Sequence, residues 1–389
     1  MPTSPRLALR CALPLLAGLG PAACAMDLPI SERIINERPL AMRVEAIDPF
    51  ASPDDAVRAE ALPVESIRAI PFIVDADGVL SAERIENELE PIWLACPLQP
   101  LQGIFACLSA QLPLTLDEIV ECPPVDFAAL DGDEPPAMPA PCLITGGTPA
   151  EPSMQVPLDF NFFLGGDLEL TMIGHRPNAG DTTECANDLL GQRELSADCL
   201  YAVQRASIGP DTAILRLAAE NGLADEELLG TIPSEDEVPD ADRHPRIQTF
   251  RVVITDEEDV TREDLERVLA EGETIEVARG DTVTVGAGQT LVIETTAPEE
   301  DLQTYLIPTD DDAYEERDED YSGDWYRTWG TLLATSSDDP VSYNTWTMVP
   351  GEQDDQLTEL PPEGVATLYY VLADSRQGVD WWWFNVEVQ

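Results

Sequence analysis

The chain has 389 residues, and 75 acidic against 21 basic residues give it a formal net charge of −54. A surface that negative repels phosphate backbones, so nucleic acid is excluded as a direct partner. Every basic residue is arginine, which removes P-loop lysines, Schiff-base lysines and the Ser-x-x-Lys nucleophile from consideration.

The first elements are those of an export signal. Arg6 and Arg10 precede an apolar run from Cys11 to Leu19, and small residues end at Ala23 and Cys24. The run is too short to span a bilayer as a permanent helix, so the mature protein is expected to fold outside the cytoplasm. Losing the two arginines takes the net charge from −54 to −56. Gly20-Pro21-Ala22-Ala23-Cys24 resembles the lipobox of bacterial lipoproteins, although Pro21 stands where that motif carries Leu, Val or Ile. The resemblance implies that Cys24 is diacylated and becomes the N-terminus of an outer-membrane or cell-surface lipoprotein. Ala23-Cys24-Ala25 also satisfies ordinary cleavage after Ala25, which would give a periplasmic or secreted protein. Two acyl chains supply the double signal that stable anchoring needs. Since no later apolar run reaches spanning length, membrane attachment rests on Cys24.

Residues 25–38 read as a tether, and residues 39–245 as an N-terminal β-rich domain. Arg38 to Ile47 alternates as a strand with Leu40, Met42, Val44 and Ala46 on one face. Ser66 to Val74 is a second strand, closed by the turn Asp75-Ala76-Asp77-Gly78. Pro91 to Cys96 follows as a strand carrying Trp93, and a tryptophan beside a cysteine resembles the core of an immunoglobulin-like sandwich. Cys96, Cys107, Cys122, Cys142, Cys185 and Cys199 remain after the signal. An even number in an exported chain reads as three disulfides, with 15 connectivities open. Cys185 and Cys199 flank a short polar stretch and make the best candidate pair. Residues 123–157 are expected to be irregular chain pinned by Cys122 and Cys142. Residues 184–230 read as a helical insertion packed on the first sheet, with Asp211 to Glu220 carrying the apolar stripe.

The boundary is expected at Ser234 to Arg246, followed by a C-terminal β-sandwich over residues 246–389. Thr249 to Thr255 is a strand, and Thr261, Asp264, Leu265, Val268 and Gly272 mark the start, apolar stripe and stop of a short helix. Strand signals then recur at Thr274–Val277, Thr282–Val285, Thr290–Thr295, Leu302–Ile307, Trp325–Leu333, Ser342–Met348, Val365–Leu372 and Val379–Val388. Short strands at this spacing predict a mainly β, Ig-like sandwich. The stretch Thr367 to Trp381, with Asp374 and Gly378 flanking its turn, resembles the closing hairpin of bacterial Ig-like and PKD-type surface modules. Together with Tyr326-Arg327-Thr328-Trp329-Gly330 and Asn344-Thr345-Trp346 it is similar to uncharacterised bacterial surface lipoproteins built from such modules. That resemblance implies spacing, adhesion or binding, with an envelope protein or glycan as partner, and no catalysis.

Two features have the chemistry of a site. In the final strand Trp382, Phe384, Val386 and Val388 form the core face, which leaves Trp381 and Trp383 on the other. Those two either pack against the N-terminal domain or form an aromatic platform for a glycan or a partner. Asp310, Asp311, Asp312, Asp318 and Asp320 crowd an acidic stretch read as a loop, which is either simply solvated or a calcium site. No Gly-x-Ser-x-Gly elbow, His-Glu-x-x-His helix or Gly-rich nucleotide loop is present. The expected role is therefore non-catalytic, and the competing readings are a carbohydrate-binding or calcium-dependent adhesin and, behind them, a carboxylate-pair glycoside hydrolase.

Overall fold

The computed structural model describes residues 32–47, 58–98, 113–126, 137–159, 162, 165–209, 241–257, 260–308, 314–349 and 361–389. Within them the fold is mainly β, built from period-two strands whose two faces feed different cores. Sheet I orders Arg38–Ala46, Ser66–Asp75, Pro152–Gln155 and Gly146–Gly147, with Gly78–Val79 paired to Ser66–Asp75. Sheet II orders Glu60–Ala61, Cys199–Ile208, Gly166–His175, Ile92–Leu98 and Cys142–Leu143. Their inner faces enclose one core, where Met42, Val44, Ile67 and Ile73 meet Trp93, Leu168, Leu170, Met172 and Leu200.

The second sandwich repeats this logic. Sheet III orders Thr274–Glu276, Thr249–Thr255, Thr290–Thr296, Val341–Thr347 and Thr331–Leu332. Sheet IV orders Thr282–Val285, Val379–Val388, Val365–Asp374, Tyr321–Arg327 and Ser336–Ser337. Phe250, Val252, Leu291, Ile293 and Trp346 face Trp325, Leu368, Tyr370, Phe384 and Val386 across its core. Burial of so many large side chains, at roughly 1.5–3 kcal/mol each, dominates the stabilisation of such a sandwich.

The alternate residues of sheets I and IV build a third core between the two sandwiches. Phe72 and Val74 from sheet I pack with Tyr369, Val371, Val379 and Trp381 from sheet IV, and Ile34 completes the cluster. The layers therefore run II, I, IV, III, and Glu32–Gln389 forms one compact unit. Each outermost sheet carries a helix. Cys185, Ala186 and Leu190 of the helix Thr182–Leu190 pack on Leu94 and Ile173 of sheet II. Leu265 and Val268 of the helix Leu265–Glu271 pack on Val253 and Val292 of sheet III.

Several expectations need correction. Residues 184–230 are not wholly a helical insertion, because the helix stops at Leu190 and Cys199–Ile208 is a strand hydrogen-bonded to Gly166–His175. Leu200, Ala206 and Ile208 are buried at strand spacing, and Gln204 and Arg205 dilute that signal. The helix also lies on sheet II rather than on the first sheet. The expected helix from Asp211 to Glu220 lies outside the described residues. The stretch 123–157, expected to be irregular, supplies the short strands Cys142–Leu143, Gly146–Gly147 and Pro152–Gln155.

In the C-terminal half, the strand expected from Trp325 to Leu333 is split between sheets. Tyr321–Arg327 belongs to sheet IV and Thr331–Leu332 to sheet III, and Gly330 turns the chain between them with φ +87. The acidic stretch is not all loop, since Tyr314–Asp318 pairs with Thr304–Pro308 as a hairpin. Leu40 leaves the predicted face of its strand and packs in the third core, because the register shifts between Pro39 and Ala41.

Candidate functional site

Cys24 and Cys107 lie outside the described residues, as do Asp310, Asp311 and Asp312. Cys122–Cys142 and Cys185–Cys199 are disulfides, and Cys96 is disulfide-bonded as well. Trp93 and Cys96 project from opposite faces of their strand. The cysteine that shares Trp93's core is Cys142, on the neighbouring strand. Asp318 accepts a hydrogen bond from Thr304 Oγ1 at 2.8 Å, and the Asp320 backbone N–H donates to Ser375 Oγ at 3.3 Å. Among the described residues no three His, Cys, Asp or Glu side chains form an arrangement that could hold a metal ion.

Trp381 and Trp383 do not form an open platform. Trp381 is only 8% exposed and stacks on Phe72 at 5.0 Å with ring planes 10° apart. The Arg43 guanidinium lies 5.0 Å from its centroid. Trp383 is half-buried, 6.0 Å from Phe72 at a tilt of 41°. Sheet I therefore covers this face, which corrects the platform reading. Polar side chains elsewhere on the strand had made the face look solvent-directed.

The same seam contains an ionic cluster that the sequence reading missed. It gathers Glu60 from the edge strand of sheet II, Asp242 from the segment entering sheet III, Glu319 from the turn after Tyr314–Asp318, and Asp374 and Arg376 from the last hairpin. Arg376 pairs with Glu60 and, at 3.3 Å, with Glu319, while its guanidinium lies 5.2 Å from the Tyr305 ring. Glu319 Oε2 accepts from the Gln303 N–H at 2.8 Å, and Glu60 Oε2 from the Asp242 N–H at 2.9 Å. Asp374 Oδ1 accepts from the N–H groups of Arg376 and Gly378 at 2.9 and 2.8 Å, which closes the hairpin turn. A Cβ on Gly378 would sit 2.0 Å from Asp374 Oδ2, so close approach requires glycine there.

Asp242 is fully buried, and neither of its carboxyl oxygens is reached by a donor. Burial, with Asp374, Glu319 and Glu60 nearby, pushes its carboxyl up to about 9. Burial and Glu319 likewise raise Asp374 to about 7. Glu319 is raised by burial, with the Asp242 carboxyl beside it. Beside this cluster His244 is neutral, because burial and Arg43 lower it to about 3. Its Nδ1 accepts from the Val379 N–H at 3.0 Å and its Nε2 donates to Val44 O at 3.0 Å, joining sheet IV to sheet I.

A cavity of about 330 Å³ opens at the edge of the second sandwich, between Gln248, Phe250, Glu276, Val277, Asp281 and Trp382. Phe250 and Trp382 are parallel at 5.9 Å, and Arg279, held by Asp380 at 2.7 Å, lies 4.9 Å from the Trp382 ring. Phe250, Val277 and Trp382 give the cavity its apolar wall, and Gln248, Glu276 and Asp281 give it polar groups.

No family model matches this sequence, and no curated protein matches it. Among solved structures the chain is similar to dimeric latent PorU from Porphyromonas gingivalis, over 90% of this chain and 24% of that one, at 10% identity and a TM-score of 0.18. The chain thus spans about a quarter of that protein's length, and a likeness this low carries no argument.

Proposed function

We propose that the protein is an exported, lipid-anchored module of the cell envelope that serves a structural, adhesion or binding role without catalysis. The observation that carries this reading is the disulfide set. Cys122–Cys142, Cys185–Cys199 and the bonded Cys96 need an oxidising space to form and persist, and the leader ending at Cys24 is what would take the chain there. The resemblance to bacterial surface lipoproteins with Ig-like modules supports the same role. Two sandwiches fused through a third core make a stiff body suited to spacing or presenting a surface.

Mass spectrometry and detergent partitioning of protein from its own host test the anchor. A diacylated N-terminal cysteine is expected, and Cys24→Ala should shift the protein to the soluble fraction. A mature chain beginning after Ala25 and released into the periplasm or medium would remove the anchor from the reading. Pull-down from envelope extract with the mature protein then identifies the partner.

The edge cavity favours a second reading, as a carbohydrate-binding module. Glycan-array binding with and without chelator tests it. Binding abolished by Glu276→Gln or Gln248→Ala supports the reading, and an array with no signal rejects it.

A further inference from the structure

We propose that the joint between the two sandwiches is a proton-operated latch, in which a protonated Asp242 carboxyl lies against Glu319 and its ionisation loosens the joint. The geometry carries this. Four carboxyl groups, Glu60, Asp242, Glu319 and Asp374, close around one guanidinium, Arg376, and Arg376 pairs with Glu60 and Glu319. Asp242 is fully buried with both oxygens beyond the reach of any donor, and Asp374 Oδ2 is unpartnered too. An ionised carboxylate in that position would be an uncompensated buried charge, which proteins avoid by taking up a proton.

A metal ion is the other way to neutralise such a cluster, and the side chains do not converge on a metal-holding arrangement. A carboxylic acid facing a carboxylate satisfies Asp242 without one, because the acid gains a hydrogen to donate. The cluster also sits where it can act on the joint. Glu60 comes from the first sandwich, and Asp374 and Arg376 from the last hairpin of the second. Arg376 O accepts from Ser207 Oγ at 3.0 Å and Gln377 O from Gln204 Nε2 at 3.1 Å, both from sheet II.

The charged and titratable groups facing Asp242 are Glu60, Glu319, Asp374 and Arg376, with Tyr305 against Arg376 and Tyr321 facing Glu319 and Asp374. An exposed aspartate ionises near 4, whereas Asp242 keeps its proton up to about 9. The open state therefore holds fewer protons between those values, and the closed joint weakens as pH rises. Asp374 adds to this slope only up to about 7. His244, lowered to about 3, opposes it only below its ordinary value of about 6.5. Between about pH 7 and 9 the Asp242 proton makes the opening constant rise about tenfold per pH unit, and Glu319, raised by burial, acts in the same direction.

Hydrogen exchange of the full chain, normalised to intrinsic rates, reads this directly. Protection of the Asp242 and Val379 amides should fall about tenfold per pH unit from 7 to 9, while Leu291 and Ile293 in the second core keep theirs. Asp242→Asn, which holds the neutral form, should abolish the dependence. If that variant fails to fold, Glu319→Gln should move the transition to lower pH by removing a like charge. Protection at the joint that does not change with pH, or a slope retained in Asp242→Asn, overturns the proposal. So does restoration of protection at pH 9 by millimolar calcium, because the relieving species would then be a cation rather than a proton.

Discussion

Replacing Trp381 with Ala tests whether the third core holds the two sandwiches together. The side chain is nearly enclosed, stacked on Phe72 at 5.0 Å and roofed by Arg43 at 5.0 Å. Truncating a buried tryptophan costs about 3–5 kcal/mol, of which the ring pair supplies about 0.5–1.5. Arg43 is not orphaned by the change, since it keeps Glu45 at 2.9 Å, so the loss reports packing rather than a stranded charge. Trp383→Ala removes a half-buried ring at the tilted contact and should cost less than half as much. Guanidinium denaturation of each variant, followed by far-UV circular dichroism, supplies the comparison. Combining Trp381→Ala with Phe72→Ala should show a coupling of at least about 0.5 kcal/mol, as contacting residues do. A Trp381→Ala loss below about 1 kcal/mol, well under the truncation range, or coupling within error, would refute the claim that sheets I and IV are joined through this stack.

Further outcomes follow from individual sites. His244, neutral in the fold down to about 3, leaves the unfolded chain to take up the proton first below about 6.5. Its contribution is therefore lost as the solution is acidified. His244→Gln should reduce the acid-side slope of stability by up to about 1.4 kcal/mol per pH unit between pH 4 and 6, measured by urea titrations at each pH. Gly330→Ala should lower stability by about 2 kcal/mol or more, beyond the 1–2 of the left-handed backbone alone. Its φ is +87 and a Cβ would sit 2.5 Å from Trp346 Nε1. Gly288→Ala, at φ +85 with nothing within 4 Å, is the control, and its melting temperature should fall less. Removing the Cys185–Cys199 bridge, whose ends are 14 residues apart, should cost about 3 kcal/mol by loop-closure entropy. Thermal melts of Cys185→Ala/Cys199→Ala against wild type check that figure.

How far this structure could be read beforehand depended on whether a signal was local. Thr249–Thr255, Thr282–Val285 and Val379–Val388 were legible to the residue, because β-branched and aromatic side chains alternate between turn formers. The helix at Leu265 was legible from Thr261 and Asp264, although its N-cap is Asp264 rather than the expected Thr261, whose Oγ1 donates to Asp264 Oδ2 at 2.6 Å in the preceding turn. Gly272 ends that helix for a reason other than the left-handed one, since a Cβ there would collide with Val253 Cγ1 at 2.3 Å. The same local alternation marks strand Gly166–His175, where Leu168, Leu170 and Met172 flank Glu169 and Thr171, a signal that went unused; what it did not carry is that Glu169 and Thr171 are buried as well.

The ionic joint was illegible for a different reason. With 75 acidic residues in the chain, no pair of carboxylates stands out. Glu60, Asp242, Glu319 and Asp374 become a set only when the last hairpin of the second sandwich meets the edge strand of the first, which brings Arg376 to Glu60 across 316 positions of sequence. The usable hint was the scarcer partner, an arginine inside a tight turn between Asp374 and Gly378. In so acidic a chain, an arginine fixed at a hairpin tip has carboxylates to meet wherever the hairpin docks. The fold brings more of them to Arg376 than one guanidinium can neutralise, and a proton on Asp242, as the latch proposal has it, relieves part of that excess.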